Sequence, residues 1–399
     1  VQTVNNYINN DQRIHLQSQE NRGAGAARNH GLQLARGRYI HFLDSDDWLE
    51  ENAYTQLAEQ VIQQQNIDLL LFQYNEVDFS SDVKTKIDLF PISETEQLLE
   101  NTPSQRQILL ETAVVPWNKL ISREFLSRTK ILFDEIPFAN DRTFHFKLVT
   151  QVESVMLLGA HLINYRTNNQ YSLAGNANTK RLQSSLQAFR NITNYAKHLD
   201  NESQLIIFNK NMEDLTELYK RSTTNNKQSI AQLLMKHINT GLLPFPPEDF
   251  AHTRWYATFV IIRSITKITN TSGTVIPVAM ATNEKYVPYL VVTLKSISEN
   301  LSDTASCAVF VFHSSLPESH VNFLEQKLLY PKLHIFCVNL SGSVELKQAL
   351  CRAHYSIEIY FRLWIPELLD IFQKVIYLDC DLIVNKNILD LYQIDITKH

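Results

Sequence analysis

Two short stretches hold the residues best suited to chemistry. "YIHFLDSDDWLEE" (39–51) is uncharged and mostly apolar through Leu43, then crowds Asp44, Asp46 and Asp47 together; "VIYLDCDLIV" (375–384) sets Asp379 and Asp381 behind another apolar run. In an extended strand, residues two apart share a side, so Asp379 and Asp381 face together while Cys380 turns away, and Asp44 and Asp46 do likewise around Ser45. Their Cα atoms would stand roughly 6–7 Å apart, whereas a hard cation binds oxygen at about 2.1 Å. Both carboxylates can therefore serve one ion only if the strand ends and bends, or if one acts through a water or a ligand hydroxyl. Such a site leaves coordination positions open, which suits Mn²⁺ or Mg²⁺ carrying a substrate diphosphate. Taken alone, "FLDSDDWL" divides between a metal site and a helix cap; Asp47 is expected to be the cap, favoured at the positive end of the next helix.

These carboxylates need strands to carry them and helices to cover those strands. "RIHLQ" (13–17) reads as a short strand. "ENRGAGAARNHGLQLARG" (20–37) reads as a glycine-loosened entry, a helix, and a left-handed stop at Gly37. "RYIHFL" is a strand, "WLEENAYTQLAEQVIQQQ" (48–65) a helix with apolar residues every four positions, and "IDLLLFQYN" (67–75) another strand. From about Ser172 to Lys267 helical stretches take over, broken by the prolines of "LLPFPPEDF". After a linker at "ITNTSG" the alternation resumes as strand "VIPVAMAT", helix "VPYLVVTLKSISEN", strand "CAVFVFHS", helix "ESHVNFLEQKLL" and strand "LHIFCVN". Alternation of this kind marks an α/β layered sheet, and in open α/β sheets ligands bind beyond the carboxyl ends of the strands, where both acidic pairs fall. The basic, aromatic "RWYATFVIIRSITK" (254–267) is read as a packed core helix rather than a membrane-surface helix.

The chain has 399 residues, beyond the usual size of one core, so two domains are expected. Its 37 Lys and Arg against 42 Asp and Glu give a net charge of −5 with no basic face, which argues against a nucleic-acid partner. Four cysteines, Cys307, Cys337, Cys351 and Cys380, lack C-x-x-C spacing, so buried thiols are expected rather than disulfides or zinc. No run reaches the roughly 18–20 apolar residues of a membrane span, and the polar start is unlike a signal peptide. A cytoplasmic protein is expected, with peripheral contact at the inner membrane as an extension.

"NRGAGAARNHGLQLARGRYIHFLDSDDWLEENA" resembles the nucleotide-sugar segment of glycosyltransferase family 2, with its Gly-rich turn, A-R-N-x-G, helix, G-x-Y-I and L-D-S-D-D. "PWNKLISREFL", "FDEIPFANDRTFHF" and "INYRTNNQYSL" resemble that family's later blocks, in family order. The resemblance implies that Arg28 and Asp44 contact the nucleotide sugar, that Asp46 binds the metal, and that Asp141 is the base of an inverting displacement. Here the usual Glu-Asp reads Asn140-Asp141, and capping of the "RTFHFKLV" helix is the alternative role for Asp141. His145, one turn on, is read as structural. Nothing before Arg13 matches the family's opening strand, so a truncated start is expected.

"IPVAMATNEKYVPYLVVTLKSISEN" and "HYSIEIYFRLWIPELLDIFQKVIYLDCDLIVNKNILDLY" resemble glycosyltransferase family 8, which contains retaining galactosyl- and glucosyltransferases of lipopolysaccharide synthesis. The resemblance implies a uridine-binding loop at Thr282, Asn283, Glu284, Lys285, Tyr286 and Val287, with Tyr286 stacking on the base. It further implies a donor-binding Arg362, nucleotide-sugar contacts at Asp379 and Cys380, and metal ligation by Asp379 and Asp381. The family's later metal-completing histidine has no counterpart, since His399 follows too closely, so a truncated end is expected.

The expectation is therefore an α/β chain of two GT-A domains joined by a helical segment: 1–175 family 2-like, 176–270 connection, 271–399 family 8-like. Its partners would be a nucleotide-sugar donor, expected to be UDP-linked, and a glycan or glycolipid acceptor. The competing class is a non-catalytic binding or scaffolding protein made of degenerate transferase domains; a metal-dependent phosphohydrolase explains the aspartates but not the other blocks.

Overall fold

The structure is a computed structural model that describes residues 7, 8, 10–64, 66–92, 96–100, 102–167, 178–238, 245, 247–269, 273–342 and 356–396. The linker core 270–272, Cys351 and His399 lie outside these. The chain divides into two compact units, Val1–Gly175 with Gln187–Ile207, and Asn176–Leu186 with Phe208–His399.

In the first unit the strands are β1 (Tyr39–His41), β2 (Trp48–Leu49), β3 (Leu69–Asp78), β4 (Lys84–Ile87), β5 (Glu96–Glu100), β6 (Lys119–Ser122) and β7 (Ser154–Thr167). Among the described residues they form one sheet in the order β1-β6-β3-β7-β2, with β4 added on β3 and β5 on β7. β1 and β3 each run antiparallel to β6, and β3 runs parallel to β7, so β1, β3 and β7 point the same way. The apolar run at β3 follows from burial on both faces. Leu69 and Leu71 enter one core with Ile121, Val155 and Leu157, while Leu70 and Phe72 enter a second with Met156 and Leu158.

Three local expectations are corrected here. Residues 13–17 are not a strand; they have no sheet partner among the described residues. The helix after the glycines spans Gly23–Leu34 and ends as Ala35 turns extended, so Gly37 is not a left-handed stop; the left-handed glycine is Gly23, at the entry, with φ 88°. The next helix begins at Ala53 rather than Trp48, because Trp48 and Leu49 are drawn into β2 by pairing with Asn164 and Ile163 of β7.

The second unit holds β8 (Thr274–Ala281), β9 (Ala305–His313), β10 (Leu333–Asn339) and β11 (Ile376–Tyr377). Among the described residues these make a wholly parallel sheet in the order β10-β9-β8-β11. Every residue of β9 is buried, as a central parallel strand covered on both faces requires. The Val287–Glu299 helix follows β8, with Val287, Leu290, Leu294 and Ile297 on its buried face. The Tyr256–Ile268 helix is buried over most of its length and packs on β10, so its aromatic and aliphatic residues serve the interior.

Candidate active sites

In the first unit β1 is a three-residue strand, after which the chain leaves the sheet and turns at Ser45 and Asp46, with the Asp47 N–H donating to Asp44 O at 3.2 Å. The bend needed to bring Asp44 and Asp46 toward one ligand is therefore present. Asp47 does not cap a helix, because β2 intervenes. Its Oδ1 accepts the backbone N–H of Arg166 at 3.0 Å, tying the acidic turn to β7. Its Oδ2 is buried without a hydrogen-bond partner, and burial, seconded by the charges of Asp46 and Asp44, pushes its carboxyl up to about 6.

Opposite the turn stands the Gly23–Leu34 helix. A Cβ at Gly25 would lie 2.1 Å from the Asp134 carbonyl oxygen, so only glycine allows the helix to approach the 131–134 segment this closely. Buried Asn29 then locks that contact, its Nδ2 donating to Phe133 O at 3.0 Å and its Oδ1 accepting the Phe133 N–H at 2.9 Å. One residue before it, Arg28 spans the site: Nη2 donates to Asp44 Oδ1 at 2.6 Å and Nη1 to Asn140 Oδ1 at 2.8 Å. Its guanidinium also lies 5.4 Å from the Phe133 ring centroid, and that ring stacks on Phe144 at 3.9 Å. A planar fork bonded at two ends and stacked on an aromatic face is held in one orientation.

Asp141 is the residue just before the Arg142–Gln151 helix, at its N-cap position, yet its side chain makes no capping bond. Loss of hydration raises its pKa most, opposed by the nearby Arg28 and Arg142 charges and helped by Asp44. A raised carboxyl next to cations suits proton transfer better than capping. His145 is buried on the same helix, its N–H bonded to Asp141 O and its ring edge-on to Phe146. The structure thus brings together Arg28, Asp44 and the Asn140-Asp141 pair. Asn29 and Asn140 join the set although the residue-type argument did not single them out; the signal was available in the A-R-N block and in the unusual asparagine.

In the second unit the strand order read along the sheet is third, second, first, fourth, which places a topological switch between β8 and β11. Both sequence-expected loops leave from the carboxyl ends of those two strands. After β8, Thr282 is buried and its N–H donates to Phe312 O, while Asn283 Oδ1 accepts the Lys285 N–H at 3.1 Å and shapes the Glu284–Tyr286 turn. Val287 is buried as the helix begins, whereas Glu284, Lys285 and Tyr286 are exposed. The Tyr286 and Tyr289 rings lie 5.7 Å apart.

After β11 the chain turns at Cys380 and Asp381, leaving Asp379 and Asp381 exposed. The Cys380 thiol is buried and directed at Thr282, with burial raising its pKa. Arg362, in the 3₁₀ helix Ile357–Trp364, donates from Nε to Ile359 O at 2.9 Å and stacks 4.8 Å from the Tyr377 ring centroid. That leaves its Nη2 3.7 Å from Asp379 Oδ1. Both groups are solvated, so the pair itself adds little stability. Arg362 thus neighbours the acidic turn through Asp379, and Cys380 links that turn to the β8 loop at Thr282.

Among the described residues no cluster of three or more His, Cys, Asp or Glu is placed to hold a metal ion. Two exposed carboxylates beside a turn nevertheless fit Mn²⁺ or Mg²⁺ in the form that takes one or two protein oxygens and completes its shell with water and phosphate. Among the same residues no helix is long and apolar enough to cross a membrane, and Cys307, Cys337 and Cys380 are buried and free.

The glycosyl transferase family 2 profile matches residues 1–129, and the glycosyl transferase family 8 profile matches residues 277–399. The chain carries a family 2 and a family 8 glycosyltransferase domain. Glycosyltransferase GlyA of Streptococcus pneumoniae serotype 4 is 23% identical over 396 residues, covering 97% of this chain and 51% of that protein. The uncharacterized glycosyltransferase EpsJ of Bacillus subtilis is 34% identical over 167 residues, covering 41% of this chain and 47% of that protein. The crystal structure of residues 1–349 of S. aureus TarS with UDP-GlcNAc aligns with 67% of this chain and 79% of that one, at 15% identity and a TM-score of 0.41. The chain spans about half the length of the curated relatives it matches. Each of the two units is an α/β layer, and each sets its acidic turn at a strand's carboxyl end.

Proposed function

We propose that the two domains are separate sugar-transfer heads of one enzyme, the family 2 head inverting and the family 8 head retaining the anomeric configuration. Each takes a hexose from a nucleotide sugar, UDP-linked, and passes it to a growing surface polysaccharide or lipopolysaccharide. Residues 1–175 and 271–399 form the heads and 176–270 connects them, acting in the cytoplasm at the inner face of the membrane. The observation that carries this reading is the meeting of the Thr282–Val287 loop, Arg362 and the Asp379–Asp381 turn at the switch between β8 and β11.

In the family 8 head Tyr286 offers an exposed ring for the uracil, and Arg362, already stacked and oriented, supplies N–H donors to phosphate oxygens. Asp379 and Asp381 would hold the divalent ion, which when bound would neutralise charge on the departing diphosphate. In the family 2 head Asp46 would hold the ion and Asp44 would contact the nucleotide sugar. There Arg28 fixes Asp44 relative to Asn140, and Asp141 accepts the acceptor hydroxyl's proton as that oxygen attacks the anomeric carbon.

Incubating full-length protein with a panel of nucleotide sugars and Mn²⁺ tests this. The expected result is consumption of UDP-linked hexoses, with Asp46→Asn and Asp381→Asn each removing a different product. Wild-type turnover by both variants would sink the reading.

A further inference from the structure

The Val287–Glu299 helix does more than cover the second sheet. Its Thr293 is fully buried, on the apolar face that also carries Leu290, Leu294 and Ile297. The Thr293 Oγ1 lies 2.9 Å from Cys380 O and 2.7 Å from Leu382 O, and it accepts the Leu382 N–H at 3.1 Å. A hydroxyl has one proton and two acceptor lone pairs, so the proton is shared between these two near carbonyls, with Tyr289 O of its own helix farther off at 3.3 Å, while a lone pair takes the amide. One turn further along, Ser296 Oγ accepts the Val384 N–H at 2.9 Å, and Asn300 Nδ2 donates to Val384 O at 2.9 Å. The helix therefore zips onto the chain from Cys380 to Val384.

These bonds matter because of what they bracket. Cys380 O belongs to the peptide before Asp381, while Leu382 N belongs to the peptide after it. Fixing both peptide planes fixes the φ and ψ of Asp381, and with them the direction of its Cβ. Asp381 itself is exposed on a turn outside the two-residue strand β11, so the sheet does not hold it. A buried hydroxyl on the neighbouring helix does.

We infer that Thr293 is the positioning residue of the family 8 metal site: through its single hydroxyl it aims Asp381, and so sets the affinity of this head for a divalent cation and its nucleoside diphosphate. This rests on the reading of Asp379 and Asp381 as metal ligands. Removing a group that orients a metal ligand typically lowers metal affinity about 10- to 100-fold.

The test compares wild type, Thr293→Val, Thr293→Ser and Asp381→Asn in the full-length protein. Mn²⁺ binding is followed in the presence of UDP by the electron paramagnetic resonance of free Mn²⁺, with UDP affinity in EDTA and thermal melting alongside. Thr293→Val keeps the branched shape and loses the hydroxyl; it should weaken Mn²⁺ binding at this head about 10- to 100-fold while UDP affinity in EDTA stays within threefold. Thr293→Ser should restore Mn²⁺ affinity to within threefold of wild type even if its melting temperature remains low, which a purely structural role would not produce. Should Thr293→Val fail to fold, Thr293→Cys keeps the volume with only a weak acceptor and should show the same separation. A folded Thr293→Val or Thr293→Cys with wild-type Mn²⁺ affinity overturns the inference while leaving the metal site intact. If Asp381→Asn also binds Mn²⁺ as wild type, the metal-site reading fails, and the inference fails with it.

Discussion

Replacing Arg28 by lysine separates a residue that braces the first head from one that works in it. The arginine reaches Asp44 Oδ1 at 2.6 Å and Asn140 Oδ1 at 2.8 Å, while its plane rests 5.4 Å from the Phe133 centroid. An ammonium can keep one of these bonds and cannot stack as a plane. A charge-assisted bond contributes about 1.5–3 kcal/mol and a neutral one about 1 kcal/mol. The Arg28 side chain is 15% exposed and that of Asp44 37%, so solvent places the ionic bond at the low end. The expected stability loss is about 1–2 kcal/mol, a melting shift of about 2–8 °C for a unit of this size. Function should suffer more. If the arginine sets the spacing between the donor-side carboxylate and Asp141, a displacement near 1 Å lowers turnover about 100-fold. Transfer would be measured in an Asp381→Asn background, which silences the second head, beside UDP affinity and melting. A variant that melts early yet turns over within threefold of wild type would show that Arg28 is a brace and no more.

Four further outcomes can be checked, two at the first head and two in the second unit. Asp141 must be ionised to accept a proton and its pKa is raised, so first-head activity should fall as pH drops through a value above the ordinary aspartate range near 4. Asn140→Glu adds a like charge beside Asp141 and should move that acid limb to higher pH in the pH–rate profile, whereas an unmoved limb would remove Asp141 from the base role. Tyr286→Ala should weaken uridine nucleotides at the second head about 10-fold or more, as loss of a stacked aromatic contributing about 1–3 kcal/mol implies, read by isothermal titration; unchanged affinity would place the uracil elsewhere. Lys227 is almost fully buried and paired with Asp370, whose side chain remains 40% exposed. Lys227→Met should therefore cost about 1–3 kcal/mol, less than the 3–5 of a wholly buried pair, since Asp370 can rehydrate; a chemical denaturation curve with an unchanged midpoint would contradict this.

Much of the second unit was legible because parallel strands buried on both faces leave unbroken apolar runs. "LHIFCVN" coincides with β10, and "VIPVAMAT" and "CAVFVFHS" fall within a residue or two of β8 and β9. The strand-end logic also held locally, since both acidic pairs sit on turns just past short strands. The first unit was harder to read where tertiary pairing overrode local signals. Trp48 and Leu49 have helix-compatible spacing but are captured by β7, which moves the helix start to Ala53 and gives Asp47 to the Arg166 amide. Gly37 looked like a helix stop, yet the helix ends where Ala35 turns extended, and the left-handed glycine is Gly23 at its entry. Long-range hydrogen bonds were illegible. Thr293 is a lone polar residue in an apolar stripe, a hint that something faces it, but its partner Cys380 lies 87 residues away and no local pattern names it.

Counting Mn²⁺-dependent UDP sites by isothermal titration on the full-length protein, with Asp46→Asn, Asp381→Asn and the double variant, puts the two-headed account at risk. The account predicts two sites per chain in the wild type, one in each single variant and none in the double. Two sites surviving in the double variant, or both vanishing in a single one, would contradict it.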